Sequence, residues 1–157
     1  MTDQLDQILM EVADHVRKRF AIDVLEHLDL RPRLIFFGEE IEWLDPQQVN
    51  STREEIISKA VENAVRKSPV IIGLTVSSWQ GSDHETKPSD DPLRQDTLTI
   101  LVATLGMTRC ASIPVLGRES TPELGELLGP GDASGPLPEG LQRAILIGQL
   151  GRAAITA

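Results

Sequence analysis

The chain has one cysteine, Cys110, and no tyrosine among its 157 residues. A single cysteine excludes an intrachain disulfide and any zinc cluster built from several cysteines. Cys110 stands in the apolar run MTRCASIPVL, where a free thiol typically packs as a small hydrophobic side chain. We therefore expect Cys110 to have a structural role and not to act as a catalytic nucleophile.

Basic and aromatic residues are also scarce. Lys and Arg number 15 against 24 Asp and Glu, which gives a net charge of −9, and aromatic residues make up 3% of the chain. This charge repels a phosphate backbone, and few rings are present on which bases could stack. The composition therefore predicts no nucleic-acid partner.

Long apolar segments and cofactor motifs are missing as well. No run approaches the roughly 18 apolar residues that a membrane span needs. The acidic start MTDQLDQILMEVADH lacks the basic-then-apolar order of a signal peptide. Because no phosphate-binding, dinucleotide-binding or nucleophile-elbow pattern occurs either, we predict a cytoplasmic protein with no membrane contact and no cofactor.

Three segments have the spacing of amphipathic helices. Apolar residues recur at three- and four-residue steps over 5–16 and again over 51–67. Ser51 followed by Glu54 is a capping-box pattern that predicts the start of the second helix. The third segment is EGLQRAILIGQLGRAA, residues 139–154.

Five further segments predict strands. They are RLIFF (33–37), EIEWL (40–44), VIIGLTVSS (70–78), TLTILVATL (97–105) and MTRCASIPVL (107–116). The last two flank Gly106 closely, which predicts a tight antiparallel hairpin. The resulting order, α-β-β-α-β-β-β-α, predicts an α+β fold: one domain over residues 1–157, with an antiparallel sheet and flanking helices. This order is similar to that of profilin-like sandwiches such as the Roadblock and longin families, a similarity of element order that implies a fold and no functional residue.

The last three strands predict a sheet with two unequal faces, because side chains alternate along a strand. The predicted core face carries apolar residues from all three strands: Ile72, Leu74, Leu98, Ile100, Val102, Ala111 and Ile113. The opposite face carries small hydroxyl residues: Thr75, Ser77, Thr97, Thr99, Thr108 and Ser112. Such a face can be solvated sheet, a ligand-pocket wall or a subunit interface, and solvated sheet is the simplest interpretation. Leu101 and Leu105 share this face, which favours an interface over a pocket wall.

Two long connections are predicted at 79–96 and 117–138. The first holds five side chains that could donate oxygen or imidazole ligands to a divalent metal ion: Asp83, His84, Glu85, Asp90 and Asp91. Their spacing matches no ligand code, because HETKP lacks the last histidine of H-E-x-x-H and no calcium-loop pattern occurs. SDDP is typical of turns, so we favour a solvated loop and keep a metal site as the alternative.

The third helix is apolar around most of its circumference and needs cover on most sides. Leu141, Ile145 and Gly148, together with Leu101 and Leu105, are therefore candidates for the interface of a two-fold dimer. The alternative is a helix buried within its own domain.

Three functions remain open from the sequence. The leading hypothesis is a non-enzymatic protein-interaction module that self-associates or binds a protein partner. The first alternative is a metal-dependent hydrolase that uses the 79–96 loop. The second is a small-ligand sensor with its pocket at the hydroxyl face.

Overall fold

Three helices and seven strands make up the structure, a computed structural model that describes residues 2–27, 32–44, 49, 52–80, 95–116 and 123–156. The helices are α1 (Thr2–His27), α2 (Arg53–Lys67) and α3 (Pro136–Thr156). The strands are β1 (Arg33–Phe37), β2 (Ile41–Trp43), β3 (Ile71–Gln80), β4 (Gln95–Thr104), β5 (Met107–Leu116), β6 (Glu123–Leu124) and β7 (Leu128–Asp132). The predicted α+β class and order of elements are confirmed. Two short strands, β6 and β7, are additions within the connection predicted for 117–138.

The strands form one antiparallel sheet in the order β2-β1-β3-β4-β5-β6, and β7 also pairs with β5. The long β3–β4 pair runs from Ile72 opposite Ala103 to Gln80 opposite Gln95. Thr104 pairs with Met107, and Gly106 has a φ of 80° in the turn between them. The predicted hairpin at Gly106 is therefore confirmed.

Helices cover both faces of the sheet and produce two separate cores. The α1 core joins residues of α1 to one face of the sheet: Leu5, Leu9, Val12, Ala13, Ile35, Ile71, Leu98, Ile100, Val102, Ala111, Ile113 and Val115. The α2–α3 core fills the other face: Leu34, Phe36, Val49, Ile56, Ala60, Ala64, Ile72, Leu74, Leu101, Ala103, Leu141, Ala144 and Ile145. The molecule is thus a three-layer arrangement of helix, sheet and paired helices.

The predicted pairing of faces was wrong for β3. Leu74 lies opposite Leu101, and Ile100 lies opposite Thr75, so Leu74 belongs to the α2–α3 core while Ile100 belongs to the α1 core. The reason is that helices cover both faces, so apolar side chains occur on both sides of β3. Alternation alone then leaves the register open by one residue, and a shift of one residue moves every side chain to the other face.

The two ends of α2 are set by polar side chains. Its N-cap is Thr52, whose Oγ1 accepts a hydrogen bond from the Glu55 backbone N–H at 3.4 Å. The predicted cap at Ser51 was therefore wrong by one residue, because Ser51–Glu54 and Thr52–Glu55 both satisfy the capping-box spacing. At the other end Ser68 adopts a left-handed conformation, and its N–H donates to the Ala64 carbonyl at 2.8 Å. The predicted end of this helical segment at residue 67 is confirmed.

Candidate functional site

The metal-ligand candidates of the 79–96 loop lie outside the residues that the structure describes. Asp83, His84, Glu85, Asp90 and Asp91 all fall within 81–94, between the ends of β3 and β4. Within the described ranges, no group of three or more His, Cys, Asp and Glu side chains could hold a metal ion. The metal site at this loop therefore stays an alternative to the favoured solvated loop.

Three of the predicted interface residues lie inside the protein. Leu101 is 5% exposed, and Leu141 and Ile145 are fully buried in the α2–α3 core. These residues contact their own chain and are closed to a second copy, which corrects their assignment to a dimer interface. The physical reason is that α3 lies directly over the sheet face that the sequence left uncovered.

Gly148 is also an internal contact, because it lets α2 and α3 approach closely. A Cβ built at Gly148 would stand 2.5 Å from the carbonyl oxygen of Ala64, and one built at Gly140 would stand 2.6 Å from Cδ1 of Ile57. The Ser68 hydroxyl donates to the Gly148 carbonyl at 3.1 Å. Gly140 lies near Ile57, and Gly148, further along α3, lies near Ala64, further along α2. The two helices therefore run parallel, and their backbones are in contact at Gly148.

The outer face of α3 consists of Glu139, Arg143, Leu146 and Leu150, all of which are exposed. Leu146 is 45% exposed and Leu150 is 61% exposed. Because successive residues of a helix are about 100° apart, these four lie on the side opposite the contacts with α2 and the sheet. Leu105, the fifth predicted interface residue, is 46% exposed at the β4–β5 turn. The exposed apolar surface of α3 is therefore centred on Leu146 and Leu150 and not on Ile145.

The hydroxyl face is partly covered by α3. Thr108 is buried, and its Oγ1 accepts a hydrogen bond from Gln142 Nε2 at 2.7 Å. Thr97 and Thr75 are buried as well, and Thr75 lies on the α1 side of the sheet because it is opposite Ile100. The predicted row of hydroxyl groups is thus divided between two faces of the sheet.

Arg109 on β5 links α1 to the β7 strand. Its guanidinium donates to the two carboxylate oxygens of Asp6 at 2.8 and 3.1 Å and to Asp132 Oδ1 at 2.7 Å. The hydrogen bond to Asp6, followed by the one to Asp132, raises the pKa of Arg109 above its already high ordinary value. The guanidinium therefore stays charged and joins three elements, α1, β5 and β7.

Cys110 lies next to this network and is partly buried. Burial raises the pKa of its thiol, and the nearby Asp132 carboxylate acts in the same direction while Arg109 opposes it. The sulfur is 3.7 Å from the backbone oxygen of Asp132. A thiol with a raised pKa is a weak nucleophile at neutral pH, in keeping with the structural role expected for Cys110.

An open cleft of about 520 Å³ lies at one end of the sheet, between the turn that joins β1 to β2 and the C-terminal end of α2. Its charged lining residues come from the β1–β2 turn, β2, α2 and α3: Glu39, Glu40, Glu42, Lys67 and Arg152. Its apolar wall comprises Phe36, Pro69 and Val70. Lys67 forms a salt bridge with Glu42, and its Nζ lies 5.0 Å from the centre of the Phe36 ring. Sequence reasoning missed this cleft, because its residues are far apart along the chain and share no motif.

No family model, curated protein or solved structure matches this chain. In the part of the chain that the structure describes, no helix has both the length and the apolar character needed to cross a membrane.

Proposed function

We propose that the chain is a non-enzymatic protein-interaction module that forms a two-fold dimer through the outer face of α3. The observation that supports this function is the exposure of Leu146 and Leu150, one turn apart on that face. Two such faces placed against each other remove four leucine side chains from water. Burial of a leucine contributes roughly 1.5–3 kcal/mol when it is complete, so the face offers a substantial driving force for association.

Charge is consistent with a second copy as the partner. The whole chain carries −9, so most pairs of surfaces on two copies repel each other. The outer face of α3 has one acidic and one basic residue, Glu139 and Arg143, and is therefore electrically neutral. A neutral apolar face avoids the like-charge repulsion that would oppose association elsewhere.

Sedimentation velocity at micromolar concentration tests the dimer. We expect wild type to sediment as a dimer of the 17.2 kDa chain, and Leu146→Asp with Leu150→Asp to sediment as a folded monomer. Leu128→Asp, which changes an exposed leucine on β7, is the matched control and should leave the dimer intact. A wild type that is monomeric throughout, or a control that dissociates equally, would contradict the proposal.

Ile145→Asp tests the inner side of α3 in the same experiment. Because Ile145 is fully buried between α3 and the sheet, a charge there should unfold the chain and not merely dissociate it. Circular dichroism separates the two outcomes. A folded, monomeric Ile145→Asp protein would place the interface on the inner side of the helix instead.

A thermal-shift screen with Mg²⁺, Mn²⁺ and Zn²⁺ separates this function from the hydrolase alternative, since a ligand that binds the native state raises its Tm. We expect no specific rise. A rise that Asp83→Ala with Asp90→Ala abolishes would favour a metal site in the 79–96 loop.

A further inference from the structure

The cleft beside the β1–β2 turn is large enough to take an extended side chain. Its volume of about 520 Å³ falls within the roughly 300–1,000 Å³ typical of sites that take small ligands. Val70 is 55% exposed on its wall, next to the buried Phe36. Such a wall suits the methylene stem of a lysine or arginine, which packs along apolar surface while its charged end stays at the rim.

The charged lining of the cleft is negative on balance, because three carboxylates, Glu39, Glu40 and Glu42, stand against two cations, Lys67 and Arg152. Glu39 and Glu40 are exposed at the turn, whereas the carboxylate of Glu42 already pairs with Lys67. The C-terminal end of α2 also lies here, and its carbonyl groups carry a partial negative charge. The chain as a whole has a net charge of −9, which raises the local concentration of basic partners around such a cleft.

We propose that this cleft binds a basic segment of a protein partner, with one arginine or lysine stem against the exposed Val70 and its charged end at Glu39 and Glu40. This is a second binding surface, separate from the dimer face. Leu150 belongs to the dimer face, whereas Arg152 lines the cleft. Because these two residues are about 200° apart around α3, the two surfaces lie on different sides of the helix. A dimer joined through α3 would leave the cleft open to another protein.

Isothermal titration calorimetry with a short blocked peptide of alternating Arg and Ser tests this site. We expect the peptide to bind wild type at low salt and the matching Glu–Ser peptide not to bind. Glu39→Gln with Glu40→Gln should weaken the Arg–Ser peptide about tenfold, because two rim charges are removed. Amide chemical shifts of residues 38–42 and 66–70 should change on titration.

A matched control separates this site from general attraction to an acidic protein. Glu11→Gln with Glu123→Gln removes the same charge from exposed positions on α1 and β6, away from the cleft, and should change the affinity less than about twofold. Equal losses in the two double variants, or chemical-shift changes outside the cleft, would overturn the proposal. Spermidine that binds the cleft as tightly as the peptide would also overturn it, because the site would then take a free polyamine.

The dimer and the cleft are tested independently. The Leu146→Asp, Leu150→Asp protein should bind the Arg–Ser peptide with the affinity of wild type, whatever its state of association. Failure of the peptide to bind both proteins would remove the cleft proposal and leave the dimer untouched. A monomeric wild type that still binds the peptide would remove the dimer proposal and leave the cleft proposal untouched.

Discussion

Both helical layers pack on the same sheet through an apolar core, but their further contacts differ. The α1 layer is a single helix over one face, and side-chain hydrogen bonds tie it to the segment 123–132: Arg17 donates to the Gly125 carbonyl at 2.8 Å, and Asp6 connects to Asp132 through Arg109. The α2–α3 layer has two parallel helices in backbone contact at Gly148. The first layer thus adds a charged link at the edge of its apolar core, whereas in the second layer the small residues between α2 and α3 allow the two helices to approach closely.

The largest expected effect lies on the inner side of α3. Ile145→Ala should lower the free energy of unfolding by about 2–5 kcal/mol, because it removes buried volume between the helix and the sheet. In the dissociated monomer, Leu146→Ala, one residue along and exposed, should change it by no more than about 0.5 kcal/mol. Urea denaturation of both variants measures the difference. Equal losses would mean that the two sides of α3 are equally packed.

A smaller effect tests the close approach of α2 and α3. Gly148→Ala should lower the free energy of unfolding by about 1–3 kcal/mol, because the added methyl meets the Ala64 carbonyl. Gly151 has open space around the position of a Cβ, so Gly151→Ala should raise stability by about 0.5–1 kcal/mol through the better helix propensity of alanine. We expect the two substitutions to change the free energy of unfolding in opposite directions in the same denaturation assay. A stabilising Gly148→Ala would show that the two helices can separate at no cost.

The charged link of the α1 layer can be broken at Arg109. Arg109→Met keeps the length of the side chain and removes its hydrogen bonds, so Tm should fall. Hydrogen exchange should accelerate first in α1 and β7, while α2 and α3 keep their protection. Lys18→Met removes an exposed i,i+4 pair with Asp14 on α1 and should have little effect. Uniform loss of protection across both layers would show that the link supports the whole fold and not one layer.

The smallest expected effect concerns Cys110. Its thiol has a raised pKa because of burial, so at pH 8 it should react with a disulfide reagent more slowly than a free thiol does, and denaturant should remove the difference. For the same reason the protonated thiol stabilises the native state below the pKa of the unfolded chain. This contribution is lost as pH rises through the native pKa. A native rate equal to that of the unfolded chain would contradict the burial of the thiol.

The pattern of residues a few positions apart was enough to predict helices, strands and a turn of this protein. The three- and four-residue spacing of 5–16 and 51–67 predicted α1 and α2, the apolar run RLIFF predicted β1, and Gly106 predicted the β4–β5 turn. These features depend on neighbours a few residues apart, because helix and strand periodicity is a property of adjacent side chains. They also include the helix end at Ser68, whose position before Pro69 is a local steric effect.

Tertiary structure alone decided which surfaces stay exposed. Leu101 and Ile145 have the composition of an interface in sequence but fill the core, because α3 lies on the sheet face next to α2. The register of β3 against β4 placed Leu74 with Leu101, and the cleft joins Glu39, Lys67 and Arg152 from three separate elements. Each of these facts depends on the packing of segments that are distant along the chain. Such packing is set by the complementarity of whole faces, which hydrophobic periodicity does not encode.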